Sequence, residues 1–319
     1  GYLQWQHNYG SRLTSYTGMH MQYSGLNNEL AVEPRLAVRY VLSPSSVMNL
    51  GAGLHSQLQP REVYFHQDYN ALTNSYSQTN EDLRFTKSVH LVAGYQFQPL
   101  NTFRIKFETY YQHLYNVPVK ESFPEFSLIN SGDFFAIPAT DSLKSEGRGR
   151  NYGIELTLEK FLDKGWYVLL TASLFDSKYS GSDGIWRNTA FNGNYVFNLL
   201  GGYEFKIGRN GIFTADIKSA WAGGKRFVPI NVDESAVTYS EVRDWNRAYS
   251  EKYNDYFRTD LRFGFKVNGR KISQEWALDL QNLTGYRSIF MEGYDARKNE
   301  VYKVYQQGFM PMFLYRIQF

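Results

Sequence analysis

The chain has 319 residues, with 34 Lys and Arg against 31 Asp and Glu, and no cysteine. A net charge of +3 with no Arg/Lys cluster excludes the electrostatic footprint of a nucleic-acid binder, so no nucleic-acid partner is expected. The lack of Cys removes disulfide frameworks and thiolate chemistry, and no stretch approaches the ~18 apolar residues of a transmembrane helix. What remains is a strand composition: 17% aromatic residues, supplied mainly by 26 Tyr and 23 Phe, with 26 Gly and only 9 Pro. Aromatics suit a pleated surface and Pro interrupts its ladders.

In chain order, a weak strand at 2–8 leads to the turn at 8–11, and a second strand ends at the short connection 24–28. Residues 29–42 put Leu36, Val38, Tyr40 and Leu42 on one face and Arg35, Ala37 and Arg39 on the other. The same period of two recurs at 47–58, 88–97, 103–111 and 151–158. The run 166–175 is apolar on both faces, so its orientation stays open. Alternation resumes at 194–206, 213–221, 257–267 and 276–281, with Tyr, Phe, Leu and Trp opposite Glu, Lys, Asp and Arg. The chain closes with Phe313, Tyr315, Ile317 and Phe319 on one face and Arg316 and Gln318 on the other.

The connections alternate too. Short turns rich in Gly, Asn, Asp and Pro fall at 8–11, 43–46, 99–102, 162–165, 208–211 and 268–271. Between them lie long excursions at 60–84, 118–147, 178–192, 228–255 and 285–307. Thirteen strands with short turns at one rim and long loops at the other predict an all-β transmembrane antiparallel barrel. A soluble sandwich or propeller, carbohydrate-binding or enzymatic, would use strands of about 5–6 residues rather than runs of 10–15. No helix is expected.

Several stretches carry a resemblance: Glu-Pro-Arg-Leu-Ala-Val-Arg-Tyr (33–40), Gly-Leu-His-Ser-Gln (53–57), Tyr-Tyr-Gln-His-Leu-Tyr-Asn-Val-Pro-Val (110–119) and Gly-Arg-Asn-Tyr-Gly-Ile-Glu-Leu-Thr-Leu-Glu-Lys-Phe (149–161). Further on come Asn-Leu-Leu-Gly-Gly-Tyr-Glu-Phe (198–205), Tyr-Phe-Arg-Thr-Asp-Leu-Arg (256–262), Asp-Leu-Gln-Asn-Leu-Thr (279–284) and the closing aromatic run. In this order they resemble the C-terminal part of TonB-dependent outer-membrane receptors, especially the Bacteroidota branch with a carboxypeptidase-like regulatory domain.

The resemblance implies a barrel of about 22 strands with a plugged lumen in the bacterial outer membrane. It implies import of a scarce nutrient (siderophore, cobalamin, glycan or peptide) driven by the TonB complex. The implied partners are outer-membrane lipid and lipopolysaccharide, the protein's own N-terminal plug, and the barrel-assembly machinery, which would read Phe313, Tyr315, Ile317 and Phe319 as its signal. In glycan and peptide importers a surface lipoprotein joins them. No plug and no TonB-box-like segment occur within the 319 residues, and an odd strand count cannot close an antiparallel barrel. The expectation is therefore that residues 1–319 are the C-terminal part of a barrel whose plug and early strands lie elsewhere. The alternative is a barrel outside this family: a porin, an adhesin or a scaffold of an envelope complex.

No enzyme motif occurs: there is no His-Glu-x-x-His, no Gly-x-Ser-x-Gly and no phosphate-binding glycine loop. No catalytic residue, cofactor or metal is expected. His20, His55 and His90 fall on polar faces of separate strands; imidazole suits ferric or divalent ions, but lumen residues facing plug or water are the commoner arrangement. Glu155, Glu159, Glu204, Asp216, Arg258, Asp260 and Arg262, with Lys206, Lys218 and Lys266, point away from the apolar faces. They are expected to face the lumen and plug, either as pairs worth ~0–1 kcal/mol that break and reform or as a static network. In the long loops Tyr64, Phe65, His66, Phe134, Phe135, Trp186, Arg187 and Trp245 could contact ligand, but packing of loop on loop or anchoring in lipopolysaccharide is the favoured reading, so no substrate-binding residue is assigned. Asn282-Leu-Thr fits a glycosylation sequon at a strand end.

Overall fold

A computed structural model of the chain describes residues 1–132 and 142–319. Thirteen strands pair in sequence order, each antiparallel to the next, as one continuous sheet. They are β1 (Tyr2–Tyr9), β2 (Leu13–Ser24), β3 (Glu29–Ser43), β4 (Ser46–Gln57), β5 (Thr86–Leu100), β6 (Phe103–Lys120) and β7 (Leu143–Asp163). After them come β8 (Trp166–Ser180), β9 (Tyr195–Ile207), β10 (Gly211–Ala222), β11 (Tyr256–Asn268), β12 (Ser273–Gln281) and β13 (Met310–Gln318). The count and order agree with the alternation in the sequence.

Turn chemistry sets the lower rim. Between Asp163 and Trp166, which pair directly, stand only Lys164 (φ 54°) and Gly165 (φ 86°). Two successive left-handed residues make a turn whose twist matches that of the strands it joins. Above the opposite rim the connections build small elements of their own. These include a single helical turn at Arg61–Tyr64, a helix at Val232–Thr238 and the hairpin Ile289–Asp295/Glu300–Tyr305. The helix at 232 was not expected; Asn231 caps it by accepting from the Glu234 amide at 3.2 Å.

Two strands outrun the expectation. β6 has 18 residues and β7 has 21, so the ladder reaches Lys120 and Leu143, well into the stretch read as loop. Register shifts at Ser145/Gly147 and Gly147/Gly149 break the period of two there and hide the strand. By contrast β12 and β13 have only nine residues each.

One face of the sheet is aromatic. Near the lower rim Tyr203 meets Phe205 (4.4 Å between centroids), Phe265 meets Trp276 (6.2 Å) and Trp276 meets Tyr315 (5.6 Å). Near the upper rim Tyr195 and Phe197 gather on Trp221 at 5.3 and 5.7 Å. Two aromatic belts around an apolar band is the layout that a bilayer selects. The register also orients β8: Leu174 opposes Ile154, Leu170 opposes Leu158, and Trp166 opposes Tyr203, so the even-numbered residues take the aromatic face. Tyr167, Leu169, Thr171 and Ser173 take the other.

Among the described residues, two clusters of buried apolar side chains lie at the upper rim and in its connections. One joins Val63, Tyr64, Leu83, Leu128 and Leu143; the second joins Tyr179, Ala190, Val228, Ala248 and Tyr249. The sheet holds together by its ladders, and the loops pack as a collar with their own cores.

Candidate functional site

The face opposite the aromatic one is polar, and its charges pair mainly across strands. On β11, Arg262 reaches Asp279 at 3.0 Å and Glu275 at 3.1 Å on β12, while Arg316 on β13 approaches Glu275 at 3.4 Å. Arg258 donates to Asp260 at 2.7 Å and to Gln281 at 3.1 Å, and Asp260 also accepts from the Asn282 amide at 2.7 Å. Arg104 on β6 pairs with Glu159 on β7, and Lys106 with Glu108 at 2.6 Å. The ladders put Glu155, Glu159, Glu204, Asp216, Arg258, Asp260 and Arg262 on this one face. Glu155 stands directly opposite Glu108.

Two tyrosines lie across glycines on the same face. Tyr167 passes over Gly202 to donate to Asp216 at 2.8 Å, and a Cβ at Gly202 would fall 2.0 Å from that carboxylate and 2.7 Å from the ring. Tyr110 likewise covers Gly153, its hydroxyl 2.9 Å from where a Cβ would stand. An aromatic ring on a bare glycine fixes the local bend of a sheet and its register.

Higher on this face sits a carboxylate that sequence reasoning missed. Glu33 is 1% exposed and accepts from Arg35 at 2.6 Å, Gln22 at 2.7 Å, the Ser56 amide at 3.0 Å and His20 at 3.1 Å. Four donors on a buried carboxylate are what its desolvation requires. His20 is thus engaged by Glu33, while His55 and His90 rest on each other at 4.6 Å. Among the described residues no group of three or more His, Asp or Glu is placed to hold a metal ion. A hydrogen-bonded lane continues from His90 through Gln112 (3.4 Å) to Asn151 (3.1 Å) and Ser177 (2.7 Å). Its only sequence trace is Asn, Gln and Ser at even spacing among apolar residues.

The loop aromatics mostly pack on other loops. Tyr64 is 4% exposed in the first buried cluster, and its hydroxyl donates to the Leu83 carbonyl at 3.3 Å. Trp245 meets Phe123 edge-on at 4.8 Å. Arg187 grips Asp183 through two bonds, at 2.6 and 3.0 Å, and holds that carboxyl below its usual range. Trp186 lies under Arg150 at 4.8 Å, His66 pairs with Asp68 at 3.2 Å, and Phe65 stays exposed. Phe134 and Phe135 fall outside the described residues. The sequon at Asn282 is closed, because its side chain is buried and donates to the Tyr286 and Gln307 carbonyls at 3.0 Å each. Arg226, not singled out by the sequence, ties two loops by donating to the Asn192 carbonyl at 2.9 Å and the Ser250 carbonyl at 3.2 Å.

This geometry presents a polar wall of paired charges. A family model described as TonB dependent receptor-like, beta-barrel, matches residues 1–283. No curated protein matches the chain. Among solved structures, the ferripyoverdine receptor of the outer membrane of Pseudomonas aeruginosa aligns over 98% of this chain and 37% of its own, with a TM-score of 0.67 and 15% identity. The ferric yersiniabactin uptake receptor FyuA from Yersinia pestis aligns over 97% of this chain and 44% of its own, with a TM-score of 0.64 and 12% identity. The outer membrane transporter YddB from Escherichia coli aligns over 96% and 43%, with a TM-score of 0.65 and 11% identity. The chain spans about two fifths of the length of these structures, and at such identities the likeness is one of fold.

Proposed function

The chain belongs to the TonB-dependent receptor β-barrel family, a family of outer-membrane proteins of Gram-negative bacteria, and from that membership we propose that it forms the C-terminal wall of a plugged nutrient importer. The cargo belongs to one of four classes (siderophore, cobalamin, glycan or peptide) and crosses unaltered, so the protein is a transporter and not an enzyme. Its aromatic face meets lipid, and Glu155, Glu159, Glu204, Asp216, Arg258, Asp260 and Arg262 face the lumen and the plug. TonB supplies the force, the barrel-assembly machinery reads Phe313, Tyr315, Ile317 and Phe319, and in the glycan and peptide classes a surface lipoprotein covers the mouth.

The observation that carries this reading is the pair of edges. β1 and β13 both run toward the short-turn rim, so they cannot pair antiparallel with each other. Closure needs an odd number of further strands, and nine would complete a barrel of about 22. A barrel of that size encloses a lumen wide enough to need a plug, and the paired wall charges suit one that moves, since partly exposed pairs cost only about 1 kcal/mol each to part.

The test is uptake in cells with and without the gene. Because the solved structures named above include the ferripyoverdine receptor and the ferric yersiniabactin uptake receptor, iron-loaded siderophores come first, then cobalamin, oligosaccharides and peptides. Gene-dependent uptake of one class that a protonophore abolishes is the expected result. Gene-dependent entry of many small solutes that ignores the protonophore identifies a passive porin and overturns the reading.

A further inference from the structure

We propose that the polar wall at β6–β8 holds a pocket for the cationic side chain of a basic peptide, so that the cargo is a peptide carrying Arg or Lys. The inference rests on the importer reading above and narrows its four cargo classes to one.

The pocket begins with a repulsion. Glu155 on β7 and Glu108 on β6 are direct cross-strand partners on the polar face, and like charges so placed destabilise a ladder. Lys106 relieves Glu108 through one oxygen at 2.6 Å. Nothing relieves Glu155: among the described residues it makes no ion pair and accepts no hydrogen bond. Its partner on the other side, on β8, is the neutral Ser173, and Arg104, lower on the wall, belongs to Glu159. A cation entering between the two carboxylates turns this repulsion into attraction.

Immediately above, the wall becomes aromatic. Gly153, two residues from Glu155, has Tyr110 of β6 and Phe175 of β8 as its register partners, so a ring stands on either side of a position without a side chain. Glu108, Glu155, Tyr110 and Phe175 share a cavity of about 460 Å³ with Asn151 and Phe191, within the ~300–1,000 Å³ typical of ligand sites.

Phe191 is an independent pointer to a ligand. Both of its chain neighbours are fully buried. The Ala190 amide donates to the Asn130 side-chain oxygen at 2.9 Å, and the Asn192 side chain donates to Asp176 and Asn188 at 2.8 Å each and accepts from the Ser177 amide at 3.1 Å. Held on both sides, Phe191 is nevertheless 51% exposed where it lines the cavity. An aromatic anchor fixed before binding loses little further freedom when a ligand covers it.

A lone carboxylate beneath aromatic rings selects a group charged at its tip and apolar along its stem. Lys and Arg side chains have that form, and the planar guanidinium of Arg also forks onto carboxylates and stacks on rings. An amino sugar carries its ammonium directly on a hydroxylated ring and has no stem to lie on Phe175 and Phe191. An anionic iron chelate meets a like charge at Glu155. One row higher, Gln112, Asn151 and Ser177 are joined at 3.1 and 2.7 Å, and their amides keep N–H and C=O capacity for a peptide backbone.

The test titrates the purified full-length protein, plug included, by isothermal titration calorimetry. The probes are acetyl-Ala-Arg-Ala-amide, its citrulline counterpart, which keeps the shape and removes the charge, and a trisaccharide of glucosamine. The expected result is binding of the Arg peptide, at least tenfold weaker binding of the citrulline peptide, and loss of that discrimination in E155Q. F191A should weaken the Arg peptide at least threefold, and E300Q, which removes the same charge from the 289–305 hairpin, should change neither peptide. Equal binding of the two peptides by the unmodified protein overturns the proposal even if E155Q fails to fold. So does failure of the Arg peptide to bind, which leaves Glu155 to a cation of the plug, and so does tighter binding of the amino sugar. Uptake is read separately. Discrimination between the peptides without gene-dependent uptake keeps the pocket and loses the transport reading. Gene-dependent uptake of a siderophore by a protein that binds neither peptide keeps the importer and overturns the pocket.

Discussion

Replacing Gly202 with Ala puts a methyl group where Tyr167 crosses to Asp216. The new Cβ would stand 2.0 Å from the Asp216 carboxylate and 2.7 Å from the Tyr167 ring, so one of them must leave. The ring is held by a single hydrogen bond to a charged acceptor, 2.8 Å long, and losing such a bond costs about 1.5–3 kcal/mol. A rotamer pushed off its minimum adds about 0.5–1.5 kcal/mol, while the reduced freedom of the unfolded chain returns about 0.4–1 kcal/mol. The net expectation is a loss of about 1–4 kcal/mol, centred near 2.5. Gly51 is the control, because a Cβ there meets nothing within 4 Å; G51A should be neutral or stabilising by up to about 1 kcal/mol. Urea unfolding of the full-length protein in detergent, followed by heat-modifiable migration, reads both variants. Y167F completes a cycle, and with the bond already gone G202A should cost at least about 1 kcal/mol less. Equal midpoints for G202A and G51A would refute the argument that the tyrosine occupies the space over the glycine.

R262Q frees Asp279 and leaves Glu275 to Arg316; these groups are about one-quarter to one-half exposed, so about 1 kcal/mol is expected. D279N should recover part of that loss, and 1 M salt should shrink it in the same unfolding assay. L128A empties part of the first loop cluster, where Leu128 is 5% exposed, and should cost about 2–4 kcal/mol. Hydrogen exchange should quicken at 61–64 and 123–130 and stay unchanged in β9–β13. Burial between the hairpin and the neighbouring loop raises the Glu292 carboxyl above its usual range; Arg243 and Lys303 oppose this, and Glu251 and Glu241 add to it. A raised carboxyl binds its proton more tightly in the folded state, so the hairpin is steadiest below the unfolded value near 4.5 and loses stability as pH rises through the folded one. E292Q should therefore slow exchange at 289–305 at pH 7.5 and change nothing at pH 4.

The sheet was legible because a two-sided strand must alternate, and because tight turns demand residues such as Gly10, Lys164-Gly165 and Gly208. Orientation was lost at Trp166–Ser180, where Leu169 and Phe175 line the polar side and cancel the contrast. The upper parts of β6 and β7 escaped because Pro118, Gly147 and Gly149 with their register shifts break the period. The loop cores escaped for another reason. Val63, Leu83, Leu128 and Leu143 come from separate segments, and nothing in one segment announces a partner in the next. In the sequence Tyr64 and Trp245 accordingly read as packing residues or as ligand contacts, with packing the favoured reading but no partner named. Lys87, Arg150 and Lys178, which share the aromatic face, did leave a signal, because each breaks the apolar parity of its strand near the same end.

The unequal strands give the barrel wall a slope. At about 3.3 Å per residue and a tilt near 45°, β7 rises roughly 49 Å and β12 and β13 about 21 Å, against a hydrocarbon core of ~30 Å. One flank therefore stands as a parapet above the leaflet, while the ladder of the other stops short of it, where the chain goes over into the 289–305 hairpin. For the importer proposed above, the β6–β7 flank is a barrier to a bulky cargo and the β12–β13 flank a low sill, so the wall would set a preferred bearing of approach.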